Sequence, residues 1–117
     1  MKDQKELLKS MTKESTMDDF QNYIKNVITL RGFDEQGIQD KMLLLLEETG
    51  ELAKAIRKTI PNASVDYNKI ENYTDVEEEI ADVCIVLTTI CNKLNINLYD
   101  AIIIIEKKNV DRKWNIN

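Results

Sequence analysis

Apolar residues recur at intervals of three and four along most of this 117-residue chain, a spacing that lines one side of a helix rather than of a strand. Only three glycines and one proline interrupt the pattern. It predicts an all-α protein with a four-helix bundle-like fold, in a single domain over residues 1–117 with residues 1–15 as an N-terminal extension. A chain of this size has little surplus stability as a monomer.

Four main helices are predicted. The first follows Thr16, whose side chain can form a capping box with Asp19, and a left-handed Gly32 ends it. The second runs from about Gln39 to Thr59, and Pro61 follows it.

A connecting loop at 61–74 leads to the third helix, which Asp75 caps. Asn97 and Asp100 mark the start of the fourth, which contains one alanine and four isoleucines in succession at 101–105. A helix that is apolar on every side must be buried on every side. We therefore expect this helix to contact another subunit of a homodimer or homotetramer, with cover inside one subunit as the alternative.

The charge balance restricts the possible partners. The net charge of -5 argues against binding to nucleic acid or to a membrane surface. No signal-peptide core or membrane span is visible, so a cytoplasmic protein is expected. Cys84 and Cys91 lie seven residues apart on one helix and are expected to be reduced core thiols. Histidine is absent, so any chemistry must use carboxylates, basic side chains or a metal.

Two acidic clusters stand in otherwise apolar helices. Glu47, Glu48 and Glu51 fall three and four residues apart and share one patch of the second helix. Like charges at this spacing destabilise a helix by a few tenths of a kcal/mol per pair. Another group should therefore neutralise them.

Glu79 and Asp82 repeat this spacing in the third helix, where Asp82 lies in an apolar run and would be costly to bury unless paired or metal-bound. If the two helices pack antiparallel, the clusters can meet and offer oxygen ligands that suit Mg²⁺, or Mn²⁺ in its place. The alternative is a solvated acidic face that pairs with nearby bases such as Lys54 and Arg57.

These motifs are similar to those of a known family. Glu47-Glu48-x-x-Glu51 followed by Glu79-x-x-Asp82 resembles the paired signature of MazG-like, all-α nucleoside triphosphate pyrophosphohydrolases. Dimeric dUTP pyrophosphatases and phosphoribosyl-ATP pyrophosphohydrolases belong to the same group. Near the C-terminus, Lys108-Asn109-x-x-Arg112 is similar to the segment by which such proteins contact substrate phosphates. The resemblance covers roughly residues 16 to 114.

The resemblance implies hydrolysis of a nucleoside triphosphate between its α and β phosphates, giving a monophosphate and pyrophosphate. It implies four Mg²⁺ ligands: Glu48, Glu51, Glu79 and Asp82. Glu47 would lie beside them, as an outer group or as the base that activates water. Lys108, Asn109 and Arg112 would bind phosphate, although a favourable cationic end to the last helix is an alternative explanation for them.

Three functions remain open. The first is house-cleaning of non-standard nucleotides. The second is dedicated hydrolysis of one substrate such as dUTP or phosphoribosyl-ATP. The third is a non-catalytic helical oligomer whose acidic patch binds a cation or a partner. No residue can be assigned to reading the base.

Overall fold

The computed structural model describes residues 3–66, 68–70 and 74–114, so residue 67 and residues 71–73 of the predicted loop lie outside the described residues. The described residues form helices and no strand, which confirms the all-α prediction. The helices are α1 (Gln4–Lys9), α2 (Met17–Leu30), α3 (Ile38–Thr59), α4 (Val76–Lys93) and α5 (Leu98–Asn109).

The chain divides into two compact units. One contains the described residues up to Asp34 together with those from Cys91 onward, and the other is Glu35–Ile90. The first unit holds α1, α2 and α5, and the second holds α3 and most of α4. The two acidic clusters therefore both belong to the second unit. The single domain predicted over residues 1–117 stays a prediction.

In the first unit, the predicted start and end of α2 are confirmed. Thr16 Oγ1 accepts from the Asp19 N–H at 3.0 Å, and Asp19 Oδ2 accepts from the Thr16 N–H at 2.9 Å, which completes the capping box. Gly32 follows the helix with φ of 80°, a left-handed conformation that glycine adopts without a Cβ clash. The short helix α1 was not predicted; the side chain of Asp3 caps it.

The turn between α4 and α5 is held to α2 by the amide of Gln21. Its Nε2 donates to Asn92 Oδ1 at 3.0 Å and to the carbonyl of Ile96 at 2.7 Å, while its Oε1 accepts from the Leu98 N–H at 2.9 Å. The predicted cap of α5 is confirmed, because Asn97 Oδ1 accepts from the backbone N–H of Asp100 at 2.9 Å.

In the second unit, α3 and α4 run in opposite directions. Lys58, near the end of α3, pairs with Asp75, just before α4, at 3.8 Å. Ten residues earlier on α3, Glu48 meets Glu79 and Asp82 farther along α4. Moving backward along one helix therefore corresponds to moving forward along the other, so the antiparallel packing on which a meeting of the two clusters depended is present.

The described part of the chain buries few apolar side chains and exposes many. The buried ones are Ile24, Val27, Ala55 and Val86. By contrast, three of the four isoleucines of α5 are 40%, 60% and 45% exposed (Ile102, Ile104 and Ile105). The described residues of a single chain thus do not provide the cover that a helix apolar on every side requires.

Both cysteines are free thiols, but the prediction that they are core residues is wrong for Cys84. Cys84 is exposed on α4, where Ile80 lies four residues before it and Leu87 three residues after it, and both of these are exposed too. Cys91 is half-buried. The spacing of residues predicted that this side of α4 is apolar, but it could not predict which apolar side of the helix faces inward.

Candidate metal centre

The middle of α3 and the first two turns of α4 bring three carboxyl groups together. Each of Glu48, Glu79 and Asp82 offers one oxygen, and these three oxygens lie within 4.8 Å of one another. Glu79 and Asp82 share a face because they are three residues apart on one helix. The antiparallel approach of α3 adds Glu48 from the opposite side, so the group joins one member of the first acidic cluster to both members of the second.

The buried member of this group is Glu79, whose side chain is only 4% exposed. Its Oε1 accepts a hydrogen bond from the hydroxyl of Thr74, just before α4. Its Oε2 is buried without a hydrogen-bond donor among the described residues. Asp82 lies in an apolar run where burial would be costly, and it is exposed. The spacing identified the pair correctly, whereas the rotation of α4 decides which of the two faces inward.

Glu48 is half-buried, and its surroundings disfavour its charged form. Burial, a side-chain hydrogen bond to Glu79 and the charges of Asp82, Glu79 and Glu47 raise the pKa of Glu48 to about 7. A carboxylic acid with this pKa is partly protonated at neutral pH and can then donate to Glu79. When Glu48 is ionised, Oε2 of Glu79 has no donor among the described residues. The raised pKa is the electrostatic cost of crowding these carboxyl groups.

The two remaining acids of the first cluster occupy different positions. Glu51 Oε2 lies 3.7 Å from Lys54 Nζ, an ion pair within one turn of α3, and Glu51 is not part of the three-oxygen group. Glu51 therefore fits the alternative to metal binding, an acidic side chain that pairs with a nearby lysine. Glu47 is exposed, yet it is near enough for its charge to contribute to the raised pKa of Glu48.

The three predicted phosphate-binding residues cluster at the end of α5, in the first unit. Lys108 and Arg112 are exposed. Asn109 Nδ2 donates to Glu106 Oε2 at 3.2 Å, and its carbonyl accepts from the indole N–H of Trp114 at 3.0 Å. The guanidinium of Arg112 lies 5.9 Å from the centre of the Trp114 ring, a cation–π distance.

The residues of the acidic group fit a hard divalent cation. Carboxylate oxygens are the ligands that Mg²⁺ and Mn²⁺ prefer. The buried Oε2 of Glu79 lacks a donor, and a cation is a partner that would satisfy it. A cation would also offset the mutual repulsion that raises the pKa of Glu48. Glu48, Glu79 and Asp82 are thus the residues whose carboxyl groups can hold a metal together.

The segment between α3 and α4 is attached at both of its ends. Arg57 Nη2 donates to the carbonyl of Ser64, and Lys58 pairs with Asp75.

Thr74, which contacts Glu79, was not predicted as part of the site. A signal was present in the sequence: the residue two positions before a helix commonly contacts the fourth helical residue, and Thr74 and Glu79 stand in that relation to Val76.

Comparison with known proteins adds one finding. A family model described as the MazG nucleotide pyrophosphohydrolase domain matches residues 36–116, more than half of the chain and all of the residues discussed for this centre. No curated protein and no solved structure matches the chain. None of the helices in the described part has the length and apolarity needed to span a bilayer.

Proposed function

Because the chain belongs to the MazG nucleotide pyrophosphohydrolase family, we propose that it hydrolyses a nucleoside triphosphate with the help of Mg²⁺. Water would add across the anhydride between the α and β phosphates and release a nucleoside monophosphate and pyrophosphate. The observation that carries the proposal is the meeting of Glu48, Glu79 and Asp82 within 4.8 Å on two helices of the matched region.

In this proposal Glu48, Glu79 and Asp82 hold the metal through their carboxylate oxygens. When bound, Mg²⁺ supplies positive charge that neutralises phosphate oxygens and acidifies water. Glu47, exposed beside Glu48, is suited to accept the proton of the attacking water. Glu51 would have to exchange its ion pair with Lys54 for the cation, so we assign it as a fourth ligand only when metal is bound.

The basic segment after α5 would bind the phosphates of the substrate. Arg112 offers a planar fork of donors for phosphate oxygens and Lys108 a compact charge. The amide of Asn109 would have to leave Glu106 to take part. A favourable interaction of these cations with the end of α5 explains their presence equally well, so substitution at Lys108 or Arg112 decides between the two.

The experiment that tests the proposal measures pyrophosphate release from a panel of ribo- and deoxynucleoside triphosphates, including dUTP, together with phosphoribosyl-ATP. We expect release with Mg²⁺ and none with EDTA. A Glu48→Gln variant should lose at least about 100-fold in rate, as expected when a metal site is disrupted. A single strong substrate would indicate a dedicated enzyme, and several non-standard ones would indicate house-cleaning.

Glu77→Gln is the matched control, because Glu77 is an exposed acid in the first turn of α4 and the substitution changes the charge by the same amount. Its rate should stay within about twofold of the wild type. A folded protein that releases no pyrophosphate from any substrate would contradict the catalytic proposal and favour a binding protein.

We further propose that the chain acts as a homodimer or homotetramer. Along α3 and the residue that follows it, exposed side chains recur at intervals of four, three, four, three and four from Met42 to Ile60, passing through Leu46 and Ile56. This is the spacing of a helix-to-helix seam. A second copy of the chain carries the same seam and needs the same cover, which makes it the simplest partner.

A further inference from the structure

Thr74 occupies a defined position relative to α4. The helix begins at Val76, so Thr74 lies two residues before its first turn and Glu79 is its fourth residue. Side chains at these two positions meet at the start of a helix, usually through an apolar contact. Here the contact is polar, because the hydroxyl of Thr74 donates to Oε1 of Glu79.

Because of this hydrogen bond, the two oxygens of the Glu79 carboxylate have different environments. Its Oε1 is occupied by Thr74, while its Oε2 is buried and, when Glu48 is ionised, has no donor in the described part of the chain. Glu79 as a whole is 4% exposed, so water has little access to it. A buried carboxylate held at one oxygen has a restricted orientation, and Glu79 contributes one oxygen to the three-oxygen group that it forms with Glu48 and Asp82.

We propose that Thr74 is a positioning residue of this centre: its hydroxyl fixes the carboxylate of Glu79 so that the remaining oxygen is available to a divalent cation. The inference rests on the proposed metal-dependent function and adds a residue outside the acidic motifs. Groups that orient metal ligands by hydrogen bonds typically change metal affinity by about 10-fold to 100-fold when they are removed.

The test compares Thr74→Val with Thr74→Ser. Valine keeps the shape of threonine but removes the hydroxyl, whereas serine keeps the hydroxyl and loses the methyl group. We expect Thr74→Val to weaken Mn²⁺ binding to the purified protein by at least about 10-fold, measured by calorimetry or by the signal of free Mn²⁺ in electron paramagnetic resonance. Thr74→Ser should bind Mn²⁺ within about threefold of the wild type.

Thr59→Val is the matched control. The hydroxyl of Thr59 donates to the carbonyl of Ile56 at the exposed end of α3, so this variant also loses one hydroxyl hydrogen bond. It should bind Mn²⁺ as the wild type does. If the loss of a hydroxyl hydrogen bond acts only through helix stability, both valine variants should have a lower melting temperature. Thr74→Val should then lose no more Mn²⁺ affinity than Thr59→Val.

Turnover provides a second measurement. If Thr74 only positions a ligand, then Thr74→Val should need at least about 10-fold more Mg²⁺ for half-maximal rate, with most of kcat recovered at saturating Mg²⁺. Wild-type Mn²⁺ affinity in Thr74→Val, or equal losses in the valine and serine variants, would overturn the inference and leave the proposed function intact. Failure of the wild type itself to bind Mn²⁺ would overturn both.

Discussion

Glu48 has a carboxyl group whose acidity depends on its neighbours. Its pKa of about 7 in the folded protein lies above its ordinary value of 4.5. Between these two values the folded state binds more protons than the unfolded state, so stability falls as pH rises. In the metal-free protein this contribution is fully present below about pH 4.5 and is lost as pH rises through about 7.

We therefore expect the metal-free protein to lose on the order of 1 kcal/mol relative to a Glu48→Gln variant as the pH is raised from 5 to 8, allowing for solvent screening at a half-buried group. Urea unfolding in EDTA measures this difference directly. Glutamine cannot ionise, and both proteins keep all the other carboxyl groups. The pH dependence that those groups contribute therefore cancels when the two free energies of unfolding are subtracted. A difference that does not change with pH would show that Glu48 titrates normally.

Metal binding should release protons from the same residue. Near pH 7 a fraction of the metal-free molecules carries a proton on Glu48, and a bound cation requires the carboxylate form. Calorimetry of Mg²⁺ or Mn²⁺ binding in buffers of different ionisation enthalpy should therefore report release of a fraction of a proton per ion at pH 7. Release should approach zero at pH 9, and affinity should weaken below pH 7. Equal binding heats in all buffers at pH 7 would contradict this prediction.

The sequence predicted which carboxylates come together better than it predicted the environment of each. The three-residue spacing placed Glu79 and Asp82 on one face of α4, and that is where they lie. It could not show that Glu79 is the buried one, because burial depends on how α4 is rotated against α3. Nor could spacing show that Glu51 is 3.7 Å from Lys54, since a flexible side chain can choose between partners.

At the scale of elements, Gln21 is the side chain that fastens the α4–α5 turn to α2. Its amide takes part in three hydrogen bonds, and two of them are with backbone groups, the carbonyl of Ile96 and the N–H of Leu98. We expect Gln21→Ala to reduce the free energy of unfolding by about 2 to 3 kcal/mol, because these groups lose their partners. Chemical denaturation measures the loss.

Asn22→Ala is the control for this variant, since Asn22 is the exposed neighbour of Gln21 on the same helix. It should change stability by less than about 0.5 kcal/mol. Mn²⁺ binding should be unchanged in both variants, as Gln21 belongs to the first unit and the acidic group to the second. A Gln21→Ala protein as stable as the wild type would show that water replaces the three hydrogen bonds.

Helices with capping residues and long apolar stripes were predictable to within a residue or two. The capping box of Thr16, the left-handed Gly32 and the Asn97 cap each depend on nearest neighbours in sequence, so local chemistry was sufficient to predict them. Helix α1 was missed because six residues provide too little periodicity to recognise, and its cap at Asp3 is a weak signal on its own.

At the scale of the whole molecule, the exposed seam on α3 predicts self-association. We expect light scattering coupled to size-exclusion chromatography to give a dimer or tetramer at micromolar concentration. Leu46→Glu, at a site 64% exposed in the single chain, should shift the protein toward monomer, because a charge in a helix seam is costly to bury.

Leu8→Glu is a suitable control: the same substitution at a leucine of α1 that is 59% exposed and lies outside the family match. It should leave the association state unchanged. A wild type that is monomeric at micromolar concentration would remove the proposed homo-oligomer, and equal dissociation of both variants would place the interface elsewhere than on α3.

The two sides of α3 have different surroundings. Glu48 lies on the side that faces α4, while Leu46 and Ile56 lie on the exposed side. If the chain is the proposed homo-oligomer, separation of its copies would uncover one side of the same helix that carries the proposed metal ligand Glu48 on the other. Rate per chain would then depend on how dilute the protein is. An assay at nanomolar concentration would then give a lower turnover per chain than the oligomer has. Preincubation at high protein concentration would restore that turnover at the rate at which the chains reassociate.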